Sequence, residues 1–141
     1  MKENNILITG SHGYIGSVLT PYLKSKGYKV RTIDVGFFYH SLVDCNEPED
    51  IKNFQPRDVR EIDLEDLKGV NILIHLAGIS NDPMNKMSSE SVYDPTREYT
   101  KRLAIICKNL GIRFIFASSC SVYGIGSELL LDEKSPVNPQ T

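Results

Sequence analysis

The eight residues Thr9-Gly10-Ser11-His12-Gly13-Tyr14-Ile15-Gly16 have the types and spacing of a phosphate-binding turn. Three glycines at intervals of three follow the apolar run Ile6-Leu7-Ile8 and open a helical pattern. In that setting each has a task. Gly10 permits a tight turn, Gly13 has no side chain to block a pyrophosphate, and Gly16 lets the helix approach the strand. A helix starting at Tyr14 offers free N–H groups and a partial positive charge to an anion. Asp34 stands eighteen residues past Gly16, at the end of the next apolar stretch. A carboxylate at about that distance binds ribose hydroxyls and repels a 2′-phosphate, which favours NAD over NADP. Arg31, earlier in the same stretch, is expected to point away from the ribose.

Other chemistry is sparse. Asp63 reads both as a helix N-cap and as a neighbour of the adenine ring, and the two roles are compatible. His12, His40 and His75 lack metal-ligand spacing, and no metal is expected. His75 ends an apolar run and is expected to be a packed or hydrogen-bonded histidine rather than a base. No G-x-x-x-x-G-K-[ST] phosphate loop occurs, which excludes that class of ATPase. Ser118-Ser119-Cys120-Ser121 follows the last apolar run. The carboxyl ends of strands in an open α/β sheet face the ligand crevice. This hydroxyl cluster is therefore a candidate substrate site, with plain loop polarity as the alternative. Cys120 has no activating partner in the sequence, so a nucleophile role is not expected.

The elements that must position these residues alternate. Strands are expected at the apolar runs Ile6–Ile8 and Val70–His75, at Tyr28–Asp34 with Val30 and Ile33 apolar, at the short Asp58–Ile62, and at Ile112–Ala117. Ile15, Val18, Leu19, Tyr22 and Leu23 recur at helical spacing between Tyr14 and Lys26, and Gly27 closes that helix. Pro21 inside it points to a kink or a late start. Asp63 caps a brief helix through Leu67-Lys68. Ser88–Leu110 is the longest helical pattern, divided by Pro95 and closed by Gly111. Residues 36–56 read as a long loop with one helical turn at Glu47–Asn53. Strands alternating with helices give an α/β fold: a Rossmann-like, doubly wound parallel sheet of about five strands with helices on both faces.

Bulk properties agree with one domain. The chain has 141 residues, 40% hydrophobic and 24% charged, with a net charge of -2. That balance argues against a nucleic-acid surface, which carries a basic excess. Cys45, Cys107 and Cys120 are odd in number and without C-x-x-C spacing, so reduced thiols in the cytoplasm are expected. The apolar stretch near the N-terminus is too short for a signal peptide or a membrane span.

The residues together resemble a known family. The turn TGSHGYIG resembles the T-G-x-x-G-x-x-G fingerprint of the extended short-chain dehydrogenase/reductase superfamily. More narrowly, the whole chain resembles the NAD-dependent epimerase/dehydratase family, which acts on nucleotide sugars. Thr9, Gly10, Gly13, Tyr14, Ile15 and Gly16 match the fingerprint, Asp34 the ribose-binding acid, and Asp63-Leu64 the pair contacting adenine. His75-Leu76-Ala77-Gly78 matches the H-L-A-[AG] segment lining the cofactor groove. Ser118-Ser119-Cys120-Ser121-Val122-Tyr123-Gly124 matches S-S-x-x-V-Y-G. The resemblance implies NAD contacts at Gly10, Gly13, Tyr14, Ile15, Gly16, Asp34, Asp63, Leu64, Leu76, Ala77, Gly78 and Ser118. It implies Ser119 as the catalytic hydroxyl, bonded to the sugar position that exchanges hydride, and Tyr123 as structural. Ile79-Ser80-Asn81-Asp82-Pro83 resembles the loop over the nicotinamide.

Two departures stand out. Thr96 occupies a position where the family usually has asparagine. The family's acid/base is a tyrosine in Tyr-x-x-x-Lys, whose lysine lowers the tyrosine pKa, and no such pair follows the serine cluster. Residues 1–141 are therefore expected to form an NAD(P)-binding Rossmann domain that stops short of the Tyr-x-x-x-Lys helix and the C-terminal substrate-binding region. Such a chain binds NAD but is catalytically incomplete. Two alternatives remain at this level: a non-enzymatic nucleotide- or partner-binding module, or one half of a split enzyme, since fold alone does not fix function. Partners expected are NAD, a nucleotide sugar in the full-length family, and a second copy through the exposed edge of Ile112–Ala117 or the long helix. Neither nucleic acid nor membrane is expected.

Overall fold

A computed structural model describes residues 5–38, 54–79, 89–125 and 130–139. Strands β1 (Asn5–Thr9), β2 (Lys29–Ile33), β3 (Ile72–His75) and β4 (Arg113–Phe116) form one parallel sheet in the order β2-β1-β3-β4. Parallel neighbours need crossovers. Helix α1 (Tyr14–Ser25) carries the chain from β1 to β2, and α2 (Ser89–Leu110) from β3 to β4. The chain moves outward from β1 to β2, then returns to the other side of β1 to lay down β3. The strand order thus reverses beside β1, where ligand crevices of α/β sheets open.

β1 is central, and a central parallel strand is covered on both faces. Ile6, Leu7, Ile8 and Thr9 are all buried. Leu7, Leu73 and Phe114 lie in one row across β1, β3 and β4. Against that row pack Leu103, Ile106 and Cys107 of α2, with Ile62, Leu67 and Val70 from the preceding segment. Ile6 and Ile8 face the other way, toward α1, which lies against β1 and β2. The apolar stripe of α1 is only partly used. Leu19 and Leu23 are half-buried, whereas Ile15, Val18 and Tyr22 are exposed. Both helices run through their prolines, Pro21 and Pro95, and neither starts late at them. Gly27 and Gly111 follow the two helices with positive φ, as helix-closing residues do.

One expected strand is absent. Residues 58–62 form a 3-10 turn, Val59–Glu61, so among the described residues the sheet has four strands rather than five. Local bonds and one long-range partner replace the expected strand pairing. The Asp58 carboxylate accepts from Arg60 N at 2.8 Å and pairs with the Arg60 guanidinium. The carbonyls of Arg60 and Ile62, which a strand would present to a neighbour, accept from Arg102 of α2 instead. Asp63 caps the next segment, accepting from Glu65 N and Asp66 N, but residues 64–69 make turns rather than a helix. The expected helical turn at Glu47–Asn53 lies outside the described residues. Among the described residues no helix is long and apolar enough to cross a membrane.

Candidate functional site

All four strands point their carboxyl ends the same way. The glycine turn after β1, Asp34 after β2, Leu76–Gly78 after β3 and Ser118–Ser119 after β4 therefore share one end of the sheet. Gly10 N donates to Ile33 O at 2.9 Å, tying the turn to β2. Gly10 has φ +77, and a Cβ there would lie 2.6 Å from Ala77 N. A Cβ on Gly16 would lie 2.2 Å from Gly10 O and 2.6 Å from Ser11 Cα. Both glycines are thus demanded by backbone against backbone. Gly13 is different. Its φ of -76 and ψ of 174 suit any residue, and a Cβ would meet only Gly10 O, at 3.4 Å.

Gly13 is also the N-cap of α1, and no side chain caps that end. The first intrahelical bond runs from Ser17 N to Gly13 O, at 3.0 Å. The amides of Tyr14, Ile15 and Gly16 have no intrahelical acceptor, as at any helix start. No acidic residue sits in the first turn to occupy them. Tyr14 is 94% exposed. The helix start is therefore an open donor set with positive partial charge.

Asp34 closes one side of this turn. Its Oδ2 accepts from His12 N at 2.9 Å and its Oδ1 from Gly36 N at 2.6 Å. The His12 ring lies beside it, Nδ1 3.9 Å from Oδ1, and packs on Phe54 with ring centroids 4.2 Å apart. Burial pushes the His12 imidazole below its usual pKa, against the pull of the Asp34 carboxylate. Arg57 N donates to Asp34 O at 2.8 Å. The Arg57 guanidinium reaches Asp66 at 2.6 Å and Asp63 at 3.5 Å. Among the described residues, Asp63 is thus linked to Asp34 through Arg57. Backbone N–H groups of Asp66 and Glu65, helped by Arg57, hold its carboxyl below the usual range. Leu64 beside it is exposed. Arg31 points away from this end, donating to Asp66 O and Lys68 O.

The third wall is the segment after β3. His75 is fully buried and, as expected, hydrogen-bonded. Its Nδ1 lies 2.7 Å from Thr9 Oγ1 and its Nε2 3.0 Å from Thr100 Oγ1. Burial pushes its pKa from 6.5 down to about 4. The folded state therefore holds this ring neutral while the unfolded chain takes up a proton. The stabilisation is complete above about pH 6.5 and is lost as the pH falls toward 4. Urea midpoints are expected to drop between pH 7.5 and pH 5, and less so in His75→Phe. Equal drops in both proteins would contradict this assignment. Ala77, next along, has its N–H on Thr9 Oγ1 at 3.4 Å and its carbonyl on Tyr99 Oη at 3.3 Å. Gly78 lies near the Thr96 methyl, 3.9 Å from where a Cβ would stand.

After β4, Ser118 and Ser119 are exposed. Ser119 caps the 3-10 turn Cys120–Tyr123, accepting from Ser121 N at 3.2 Å, and its Oγ lies 2.7 Å from Ser121 Oγ. Cys120 is a free, exposed thiol, and Tyr123 is half-buried. Residues 80–83 lie outside the described residues. Tyr22 and Lys26 share the spacing of Tyr-x-x-x-Lys, but they sit at the far end of α1. The ammonium lies over the ring face, 5.3 Å from its centroid. Among the described residues no group of three or more His, Cys, Asp or Glu is placed to hold a metal ion.

Sequence reasoning missed Phe54 and the bonding of His12 to Asp34, because both depend on the chain returning past the long loop. It also missed Thr9, Tyr99 and Thr100 around His75. The spacing of Tyr99 and Thr100 on α2 was a readable signal only once that helix was placed over β3.

A parallel sheet whose order reverses beside β1, with an uncapped helix start behind a glycine turn and a carboxylate at the end of β2, defines a Rossmann-type fold. The profile of the NAD dependent epimerase/dehydratase family matches residues 6–141, and the chain belongs to that family. It is 30% identical over 152 residues to a UDP-glucose 4-epimerase of Rhizobium meliloti (strain 1021), covering 99% of this chain and 43% of that protein. An NAD-dependent NDP-hexosamine 5,6-dehydratase involved in tunicamycin biosynthesis superposes with a TM-score of 0.71 at 28% identity, over 98% of this chain and 44% of the other. UDP-glucose 4-epimerase from Bifidobacterium longum, in complex with NAD+ and UDP, gives 0.71 at 25%, over 96% and 43%. The chain spans less than half the length of each.

Proposed function

We propose that this chain is the NAD-binding portion of an NAD-dependent nucleotide-sugar epimerase/dehydratase, located in the cytoplasm, with Ser119 contacting the sugar. The observation that carries the reading is Gly13. Neither its backbone angles nor its protein neighbours require glycine, since a Cβ there would meet only Gly10 O, at 3.4 Å, yet Gly13 is the N-cap residue beside the uncapped amides of α1. A glycine kept for space implies a group that fills the space, and donors with positive partial charge favour a phosphate. Leu76, Ala77, Gly78 and Ser118 line the same end of the sheet, and Asp34 stands beside the turn with an acceptor for ribose. NAD bound there supplies a hydride acceptor for a sugar carbon. Ser119 Oγ is exposed and oriented by Ser121, suited to hydrogen-bonding a sugar hydroxyl or carbonyl.

The test is calorimetry with NAD on the wild-type chain and on Gly13→Val. Wild type is expected to release heat with submillimolar affinity, and Gly13→Val to keep its fold by circular dichroism while losing at least tenfold in affinity. No heat from wild type at millimolar NAD would sink the reading.

A further inference from the structure

We infer that His75 is a positioning residue for the nucleotide groove, acting through Thr9 on the Ala77 peptide. The inference rests on the reading of the glycine turn as the NAD site. Thr9 Oγ1 takes part in two contacts at once, with Ala77 N and with His75 Nδ1. A hydroxyl has one proton to give. Accepting from Ala77 N–H, Thr9 satisfies both partners by donating its own proton to Nδ1. The ring proton of His75 then sits on Nε2 and is donated to Thr100 Oγ1. The result is a directed chain from the segment after β3, through the last residue of β1, through the ring, to α2.

The chain ends on a peptide that stands close against the turn. A Cβ on Gly10 would lie 2.6 Å from Ala77 N and 2.8 Å from both Ala77 Cα and Leu76 C. Ala77 therefore fixes how far Gly10 stands from β3, and with it the mouth of the turn. The other end of the Ala77 residue is held by Tyr99 Oη on its carbonyl, and the Tyr99 ring stands edge-on to His75 at 5.6 Å. His75 is fully buried, so it touches no ligand. Its influence on binding passes through Thr9 and Ala77.

Asparagine and glutamine separate the two halves of the ring. His75→Asn places an amide oxygen where Nδ1 stands and keeps a partner for Thr9. His75→Gln places an amide nitrogen where Nε2 stands and keeps a partner for Thr100. Both leave a cavity, so their urea midpoints are expected to fall alike. NAD affinity is expected to stay within about twofold of wild type in His75→Asn and to weaken about tenfold in His75→Gln, the loss of one hydrogen-bond contribution. In the ligand-free protein the Ala77 amide is expected to exchange with solvent faster in His75→Gln than in His75→Asn. Equal losses of affinity that track stability, or equal Ala77 exchange in the two variants, would overturn the inference. If the His75 variants do not fold, Thr9→Val against Thr9→Ser gives the same contrast, with valine behaving as His75→Gln. If wild type takes up no NAD, the nucleotide reading fails, while the Ala77 exchange contrast still decides whether His75 sets this peptide.

Discussion

Gly16→Ala is expected to lower the stability of the chain by at least 3 kcal/mol and to abolish NAD binding, the first being within the range of severe single substitutions. The added methyl would lie 2.2 Å from Gly10 O, 2.6 Å from Ser11 Cα and 2.8 Å from Ser11 C. All three atoms are backbone, so no side-chain rotation relieves the contact. Relief requires the turn to move away from α1. That movement is opposed on its far side, because Gly10 already lies against Leu76 and Ala77. It also strains the bond from Gly10 N to Ile33 O. A domain of this size has only about 5–15 kcal/mol in total, so the substitution is expected to remove a large fraction of its stability and to lower the urea midpoint accordingly. Gly27→Ala is the matched control. Gly27 has φ +84 but nothing within 4 Å of its Cβ, so only the left-handed backbone is penalised, by about 1–2 kcal/mol. The two urea midpoints settle the matter. If Gly16→Ala unfolds no earlier than Gly27→Ala, the close approach of helix and strand is not what Gly16 serves.

That contrast also explains what the sequence disclosed. The positions of Gly10, Gly13 and Gly16 between an apolar run and a helical pattern are local facts, and they placed β1, the turn and α1 correctly. β3 and β4 were equally local as short apolar runs, β2 as Val30 and Ile33 ahead of Asp34, and α2 as a long period closed by a glycine. What failed at residues 58–62 was long-range. Arg102 lies forty residues beyond the Ile62 carbonyl it satisfies, and no local pattern reveals that partner. Propensity then lost to tertiary bonding, as it does when one donor can replace a strand neighbour. The stripe of α1 was legible as a stripe but not in its use, because period reveals which residues share a face and not how much of that face is covered. At the site, the glycines and acid were visible by spacing. His12 was visible only as a residue between two glycines. Its bond to Asp34 and its packing on Phe54 arise from three separate stretches of chain.

Asp34→Asn is expected to bring NAD and NADP to nearly equal affinity, whereas wild type discriminates against NADP by at least tenfold. Each oxygen of Asp34 already accepts a backbone N–H, from His12 and from Gly36. The carboxylate therefore has two duties, fixing the glycine turn to the end of β2 and presenting negative charge beside it. Like charges about 5 Å apart in a partly screened setting repel by about 3 kcal/mol, which is more than enough for a hundredfold preference. Among the described residues, the positive charge near Asp34 is already engaged or held neutral. The Arg57 guanidinium is engaged with Asp66 and Asp63, and burial keeps His12 neutral to lower pH than usual. Asparagine removes the charge and keeps one oxygen to accept one of the two amides, while its NH2, a donor, faces the other, so the turn keeps one of its two bonds to this side chain. Asp34→Ala removes both acceptors and is expected to cost stability as well, about 1–3 kcal/mol for the two amides left without partners. Titrating NAD and NADP into the three proteins at pH 7.5 separates the duties. Retention of the wild-type preference in Asp34→Asn would show that shape rather than charge excludes the 2′-phosphate. A loss of NAD affinity in Asp34→Ala with an unchanged urea midpoint would remove the structural duty and leave only the contact with ribose.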